Sequence, residues 1–227
     1  MQNIINQLKL GNFVIVVDDK NREDEADLVI AGEHITPEKI AFMLDHCCGI
    51  ICAPMSLERV KKIGIPIINN LIEKQSIKNI IRQNQNNKTA PFTIAVDAKE
   101  CHTGVSAYDR FLTIKKLCDD DASIDDFIAP GHMFPLYAHP NGLKKRKGHT
   151  EAAVELMKLA GLKDIAVICE LMNTSANIDS RDNTNINDKN NREEKNNKLG
   201  TMMKDKDVQR FSEKHNIPII NIKDIIQ

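Results

Sequence analysis

Six carboxylates crowd the ten residues from Asp18 to Asp27, directly behind the apolar run Phe13-Val14-Ile15-Val16-Val17. Negative charge at that density repels itself unless cations or hydrogen-bond donors offset it. A hard, oxygen-liganded ion such as Mg2+ is therefore a physical candidate. An isolated acidic run is more often a solvated loop, but a second cluster shifts the balance. Arg146-Lys147-Gly148-His149-Thr150 stands at the mouth of a helical pattern. There Gly148 permits close backbone approach, the helix start offers free N–H groups and the positive end of a dipole, and Arg146 adds a fork of donors. A phosphate fits that description; so does a helix cap beside solvated Lys144, Lys145, Arg146 and Lys147. His149 adds a group able to ligate a metal or move protons, while Glu151 in the first turn reads as complementing the helix dipole. His132 in Pro-Gly-His and Glu170 after Val167-Ile168-Cys169 are further acid–base candidates.

The elements that must position these residues alternate along the chain. Ile4, Ile5 and Leu8 repeat at helical spacing up to Gly11, and Phe13–Val17 then reads as a buried strand. The acidic turn follows, and Leu28–Ala31 resumes as strand, which suggests an antiparallel hairpin. Thr36 and Pro37 open a helix through Leu44, Ile50–Ala53 is a strand, and Ser56 opens a short helix toward Ile63. Phe92–Val96 reads as strand, and Ser106 with Asp109 as a capping box for a helix through Leu117. A loop holding Pro130-Gly131-His132 leads to a strand at Met133–Tyr137. Thr150 begins an amphipathic helix ending before Gly161, and Ala166–Cys169, a helix at Val208–His215 and a strand at Ile217–Ile220 complete the series. The pattern predicts an α+β fold: one three-layer domain over residues 1–227, with a mixed β-sheet flanked by helices. In such sheets ligand sites gather at loops beyond strand ends, where the candidate residues fall.

Two stretches break the pattern. Residues 174–198 hold eight Asn and only two large aliphatics, a composition that predicts a disordered insertion. Residues 69–88 hold six Asn, but Ile72, Ile77, Ile80 and Ile81 are spaced for a helical turn or two against the body.

Composition narrows the function classes. The chain's 227 residues, 41% hydrophobic, suffice for a substantial core. A formal charge of -1, seven Phe, two Tyr and no Trp argue against a broad nucleic-acid footprint. No apolar stretch approaches the length of a membrane span, and the amino terminus lacks a secretory signal pattern, so a cytoplasmic protein is expected. Six cysteines without a CxxC pair suggest buried thiols in a reducing compartment; His46-Cys47-Cys48 with Cys52 lacks the second ligand pair of a zinc finger. The acidic turn fails the EF-hand pattern, since Asp24 and Ile30 stand where Gly and Glu are needed, and GxGxxG, Walker and nucleophile-elbow signals are absent.

Taken in order, Val-Val-Asp-Asp-x-x-Arg-Glu-x-Glu-x-Asp at 16–27, Thr-Gly-Val-Ser-Ala-x-Asp-Arg at 103–110, Pro-Gly-His-x-Phe-Pro-Leu at 130–136, Gly-His-Thr-Glu-Ala at 148–152 and Ile-Cys-Glu at 168–170 closely resemble the 3,4-dihydroxy-2-butanone 4-phosphate synthase family. The resemblance spans nearly the whole chain outside the two Asn-rich stretches. It implies a riboflavin-pathway lyase that converts ribulose 5-phosphate to the butanone phosphate and formate. It assigns Glu23 and His149 as ligands of Mg2+, with Mn2+ as the alternative. Arg22, Glu23, Asp27, Thr103, the loop Arg146, Lys147, Gly148, His149 and Thr150, and Glu170 are placed around the sugar phosphate, and His132 and Glu170 in catalysis. It also implies a homodimer with the site near the subunit boundary.

That reaction would begin with loss of the C3 proton beside the C2 carbonyl, giving an enediolate that a divalent metal can stabilise before the skeleton rearranges. Asp27, His132 and Glu170 are the expected proton carriers, with the first acceptor among them left open. A metal-dependent sugar-phosphate phosphatase and a non-catalytic metabolite-binding regulator are the competing readings. Three positions depart from the family's usual residues: Ala26 stands for Gly, Cys101 for Val and His102 for Thr. A positive φ at position 26 would strain the acidic loop. The cyclohydrolase domain fused to some relatives is not expected in this chain.

Overall fold

The computed structural model describes residues 1–71, 91–178 and 198–226. The Asn-rich stretches expected at 69–88 and 174–198 lie mostly outside them. At the edge of the second stretch, Asn177 Nδ2 donates to the carbonyls of His46 (2.8 Å) and Met172 (2.7 Å).

Seven strands make one mixed sheet: β1 (Val14–Val17), β2 (Ala26–Ala31), β3 (Cys47–Met55), β4 (Val96–Ala98), β5 (Phe127–Tyr137), β6 (Ala166–Leu171) and β7 (Ile219–Asn221). Their order is β4-β5-β3-β6-β2-β1-β7. The pairs β1–β7 and β3–β5 are parallel, and the others antiparallel. The hairpin expected around the acidic turn is present as β1–β2, with Val17 opposite Ala26.

Seven helices flank the sheet among the described residues: α1 (Gln2–Lys9), α2 (Pro37–His46), α3 (Leu57–Ile63), α4 (Ala107–Leu117), α5 (His149–Ala160), α6 (Asp205–His215) and α7 (Ile222–Ile225). Their starts follow local chemistry. The side chains of Thr36, Ser56 and Ser106 accept from the backbone N–H three residues on, each satisfying a donor the helix cannot. Alternate residues of the central strands feed two cores. Ile15, Leu28, Ile30, Val167 and Cys169 join α2, α4 and α6, whereas Val14, Val16, Val29, Ala166 and Ile168 join α1, α5 and α7. The fold is therefore an α+β sheet covered on both faces. Every residue of β2 is buried, and each large aliphatic removed from water there contributes roughly 1.5–3 kcal/mol. No helix among the described residues is long and apolar enough to cross a membrane.

Two sequence-based expectations need correction. Pro130-Gly131-His132 is not in a loop but inside β5, an eleven-residue strand. A Cβ on Gly131 would lie 2.0 Å from the Val96 carbonyl carbon, so the glycine there serves close approach of β4. The strand expected at Phe92–Val96 is confined to Val96–Ala98, and Phe92 and Thr93 make only isolated bridges to Leu136 and Ile67. At the acidic turn, Ala26 lies within β2 and the positive φ, 56°, falls on Asp24; replacing glycine at position 26 therefore costs no backbone strain.

Candidate active site

The β1–β2 turn is folded around Asp18. Its Oδ2 accepts from Arg22 Nη1 (2.7 Å) and the Glu23 N–H, and its Oδ1 accepts from the Glu25 N–H at 3.0 Å. Arg22 also donates to Glu23. The wrapped turn projects Glu23 toward the first residue of α5: His149 Nδ1 lies 3.8 Å from Glu23 Oε2 and 3.8 Å from Asp27 Oδ1. These are ion-pair distances, too long for hydrogen bonds.

Strand register adds the next carboxylate. Asp27 on β2 is directly opposite Glu170 on β6. Both alternate with residues of the α2–α4–α6 core, so both point to the face carrying α5. Burial and the neighbouring charges set their acidity. Burial pushes Asp27 up to about 7, with Glu170, Glu25 and Glu23 adding to the rise against the opposing pull of His149. Burial likewise raises Glu170. Glu25 is raised by burial and then by the charges of Glu170 and Glu23. Burial alone would lower His149, but the Asp27 and Glu23 carboxylates outweigh it and carry the imidazole up to about 9. Glu23 runs the other way: burial raises it, and His149 and Arg22 more than compensate.

This donor set suits a divalent cation. Ligand atoms of Asp18, Glu23 and His149 all lie within 4.8 Å of one another. Asp27 Oδ1 and His149 Nε2 are buried without a hydrogen-bond partner, a costly state that a metal or its water would relieve. The expected pair Glu23 and His149 is thus joined by Asp18, which was counted in the acidic run but not singled out. One imidazole and carboxylate oxygens are ligands compatible with Mg2+ or Mn2+.

Proton competition makes this testable. The folded pKa of His149 lies above its ordinary 6.5, at about 9. In metal-free protein its contribution to stability is therefore complete below pH 6.5 and lost as the pH rises toward 9. A metal needs the neutral imidazole, and Asp27 ionises over the same range. Saturating Mg2+ should raise Tm more at pH 9 than at pH 7, measured by differential scanning fluorimetry. A larger rise at pH 7 would contradict this assignment.

The second predicted cluster meets the first at Gly148. This residue is the N-cap of α5 and has no side-chain cap. A Cβ built on it would lie 2.3 Å from Arg146 Nη1 and 3.1 Å from Arg22 Nη2, so two guanidiniums converge on a bare helix N-terminus. Arg146, His149 and Thr150 are buried there, whereas Lys147 is exposed. The arrangement has the chemistry of an anion cradle beside a candidate cation site.

His132 and Thr103 belong to a separate group. His132 Nδ1 pairs with Asp97 Oδ2 at 2.7 Å, and the His132 N–H donates to Asp97 Oδ1 at 2.8 Å. Arg110 holds the His132 carbonyl at 2.8 Å. Asp109 gathers the N–H groups of His102, Thr103 and Gly104, which presses Gly104 against the pair. With β3 standing between β5 and β6, His132 is two strand spacings, roughly 10 Å, from Glu170 on the same face. Its side chain is 43% exposed. Sequence reading missed Asp97; a carboxylate closing the apolar run Ile94-Ala95-Val96 was the available signal.

A mixed sheet that gathers raised carboxyls, a candidate cation-binding group and a bare helix N-terminus flanked by guanidiniums has the layout of an enzyme site. The sequence profile of the 3,4-dihydroxy-2-butanone 4-phosphate synthase family matches residues 2–227, and the chain belongs to that family. A synthase of this name from Wigglesworthia glossinidia brevipalpis is 39% identical over 228 residues, covering 100% of this chain and 90% of the relative. Another, from Helicobacter pylori (strain ATCC 700392 / 26695), is 39% identical over 218 residues, 96% of this chain; the chain spans 54% of that relative's length. A crystal structure of 3,4-dihydroxy-2-butanone 4-phosphate synthase in complex with two magnesium ions superposes with a TM-score of 0.79 at 33% identity, covering 99% of this chain and 94% of the other.

Proposed function

We propose that the protein is a riboflavin-pathway lyase that converts ribulose 5-phosphate to 3,4-dihydroxy-2-butanone 4-phosphate and formate. The observation that carries this reading is the cluster of Asp18, Glu23 and His149 directly beside the cradle at Gly148. In it, Arg22, Arg146 and the first N–H groups of α5 bind the phosphate. Glu23 and His149, with Asp18, hold Mg2+ or Mn2+. A bound divalent cation would polarise the substrate carbonyl and neighbouring hydroxyl.

Asp27 and Glu170 face each other across β2 and β6, and burial keeps both carboxyls protonated to higher pH than ordinary carboxylates. Asp27, raised to about 7, is matched to general acid–base work, here removal of the C3 proton and return of protons during dehydration. His132, oriented by Asp97, is the further proton carrier, and Thr103 lines its side of the substrate. The distance of His132 from Glu170 and the exposed Val105, Tyr108 and Ile128 nearby support a homodimer in which the two groups meet at the subunit boundary. Among the described residues Cys47, Cys52, Cys101 and Cys118 are free thiols, which supports a reducing, cytoplasmic location.

The experiment is NMR of ribulose 5-phosphate with purified protein and Mg2+. Formate and the four-carbon phosphate should accumulate together. Inorganic phosphate without formate would favour a phosphatase, and unchanged substrate a binding protein.

A further inference from the structure

We infer that Glu151 is a positioning residue for the phosphate cradle, holding the Arg146 guanidinium across the bare N-terminus of α5. The inference rests on the reading of that cradle as the sugar-phosphate site. Glu151 lies in the first turn of α5 and its side chain is fully buried. Its Oε2 accepts from Arg146 Nη1 at 2.5 Å, and its Oε1 accepts from the backbone N–H of His139 at 3.0 Å. One carboxylate thus joins the turn after β5 to the arginine of the cradle.

A buried ion pair is weak evidence of stability, because desolvation of both groups offsets their attraction and apolar replacements are often as stable. The location points to a different role. Arg146 and Arg22 both reach the space over Gly148, and two like charges there repel each other. Each is backed by a buried carboxylate: Arg22 by Asp18 at 2.7 Å, Arg146 by Glu151. An arginine held by one Nη cannot swing away from its partner, and its planar fork is presented in one orientation, the condition for directional recognition of phosphate oxygens. Preorganisation of this kind lowers the entropy lost when the anion arrives.

Glutamine at this position has a single acceptor oxygen, so it cannot serve both Arg146 and the His139 N–H. Glu151→Gln should raise the KM for ribulose 5-phosphate, and the inhibition constant of inorganic phosphate, by about tenfold, the loss of one charge-assisted hydrogen bond. kcat should change by less than about threefold, since no bond to the phosphate group is made or broken in the reaction. In an Arg146→Ala background the same substitution should change neither constant further, a coupling that a purely structural glutamate would not show. Unchanged or tightened phosphate affinity in Glu151→Gln, or an equal loss in the Arg146→Ala background, overturns the proposal. Arg146→Ala with unaltered phosphate affinity instead removes the cradle reading itself, and the proposal with it. If Glu151→Gln does not fold, Glu151→Asp, which keeps the charge but withdraws it by one methylene, enters the same cycle with the same outcomes.

Discussion

Stripping divalent metal from the protein is expected to abolish formate release from ribulose 5-phosphate, and Mg2+ to restore it. The physical ground is the charge density on one face of the sheet. Asp18, Glu23 and Asp27 close around His149, with Glu25 and Glu170 near enough to disturb the same titrations. Burial first, and then the neighbouring carboxylates, raise Asp27, and the carboxylates raise His149 against its burial, but a proton on His149 occupies a position a metal requires. A protonated site would also lack the concentrated positive charge that draws electron density from a ketone. After EDTA treatment and desalting, formate should fall to background. His149→Ala should show the same loss and abolish the Mg2+-dependent rise in Tm. Full activity in protein verified as metal-free would remove the metal from the reading.

Asp97→Asn is expected to reduce turnover by roughly 100-fold or more, close to the effect of His132→Ala, because general acid–base groups contribute about 10²–10⁴-fold. Asp97 is almost completely buried and grips His132 twice, through the backbone N–H and through Nδ1. An aspartate facing Nδ1 accepts that nitrogen's proton in a hydrogen bond and leaves Nε2 as the basic atom. An asparagine can present its amide donors instead and favour the opposite tautomer. The fold should survive, because the substitution is isosteric. The loss should appear in kcat with KM little changed, measured alongside circular dichroism and Tm. Normal kcat in well-folded Asp97→Asn would leave the aspartate a structural role, and normal kcat in His132→Ala would take the histidine out of catalysis. Glu170→Ala should lose activity over the same range.

What could be read from the chain was what is encoded locally. Thr36, Ser56 and Ser106 announce helices because the capping contact spans three residues, and the β1–β2 hairpin is legible because its turn is short and its flanks apolar. The helix start at Gly148, with Arg146 just before it, was legible for the same reason. What stayed hidden depends on residues far apart. Pro130 and Gly131 resemble loop punctuation until Val96 is known to pass against Gly131. Asp97 looks unremarkable until β4 brings it to His132, and Glu151 looks like a dipole-complementing surface residue until Arg146 and His139 close over it. Asp18 was visible as charge, but its place at the centre of the turn follows from three donors that only the folded loop supplies.

The sheet order gives β6 a second significance. It is the strand that pairs with both β2 and β3, so the β4-β5-β3 and β2-β1-β7 halves become one sheet only when residues 166–171 insert between them. Those residues come late in the chain, and β2 must wait for a partner most of the sequence away. Contacts of such separation carry a large loop-closure cost and slow folding. Until β6 arrives, each half presents an open edge to other chains, and Asp27 has no Glu170 opposite it. A nick or substitution that frees β6 would therefore dissolve the sheet and the acid–base pair in one event, leaving no half-molecule with partial activity.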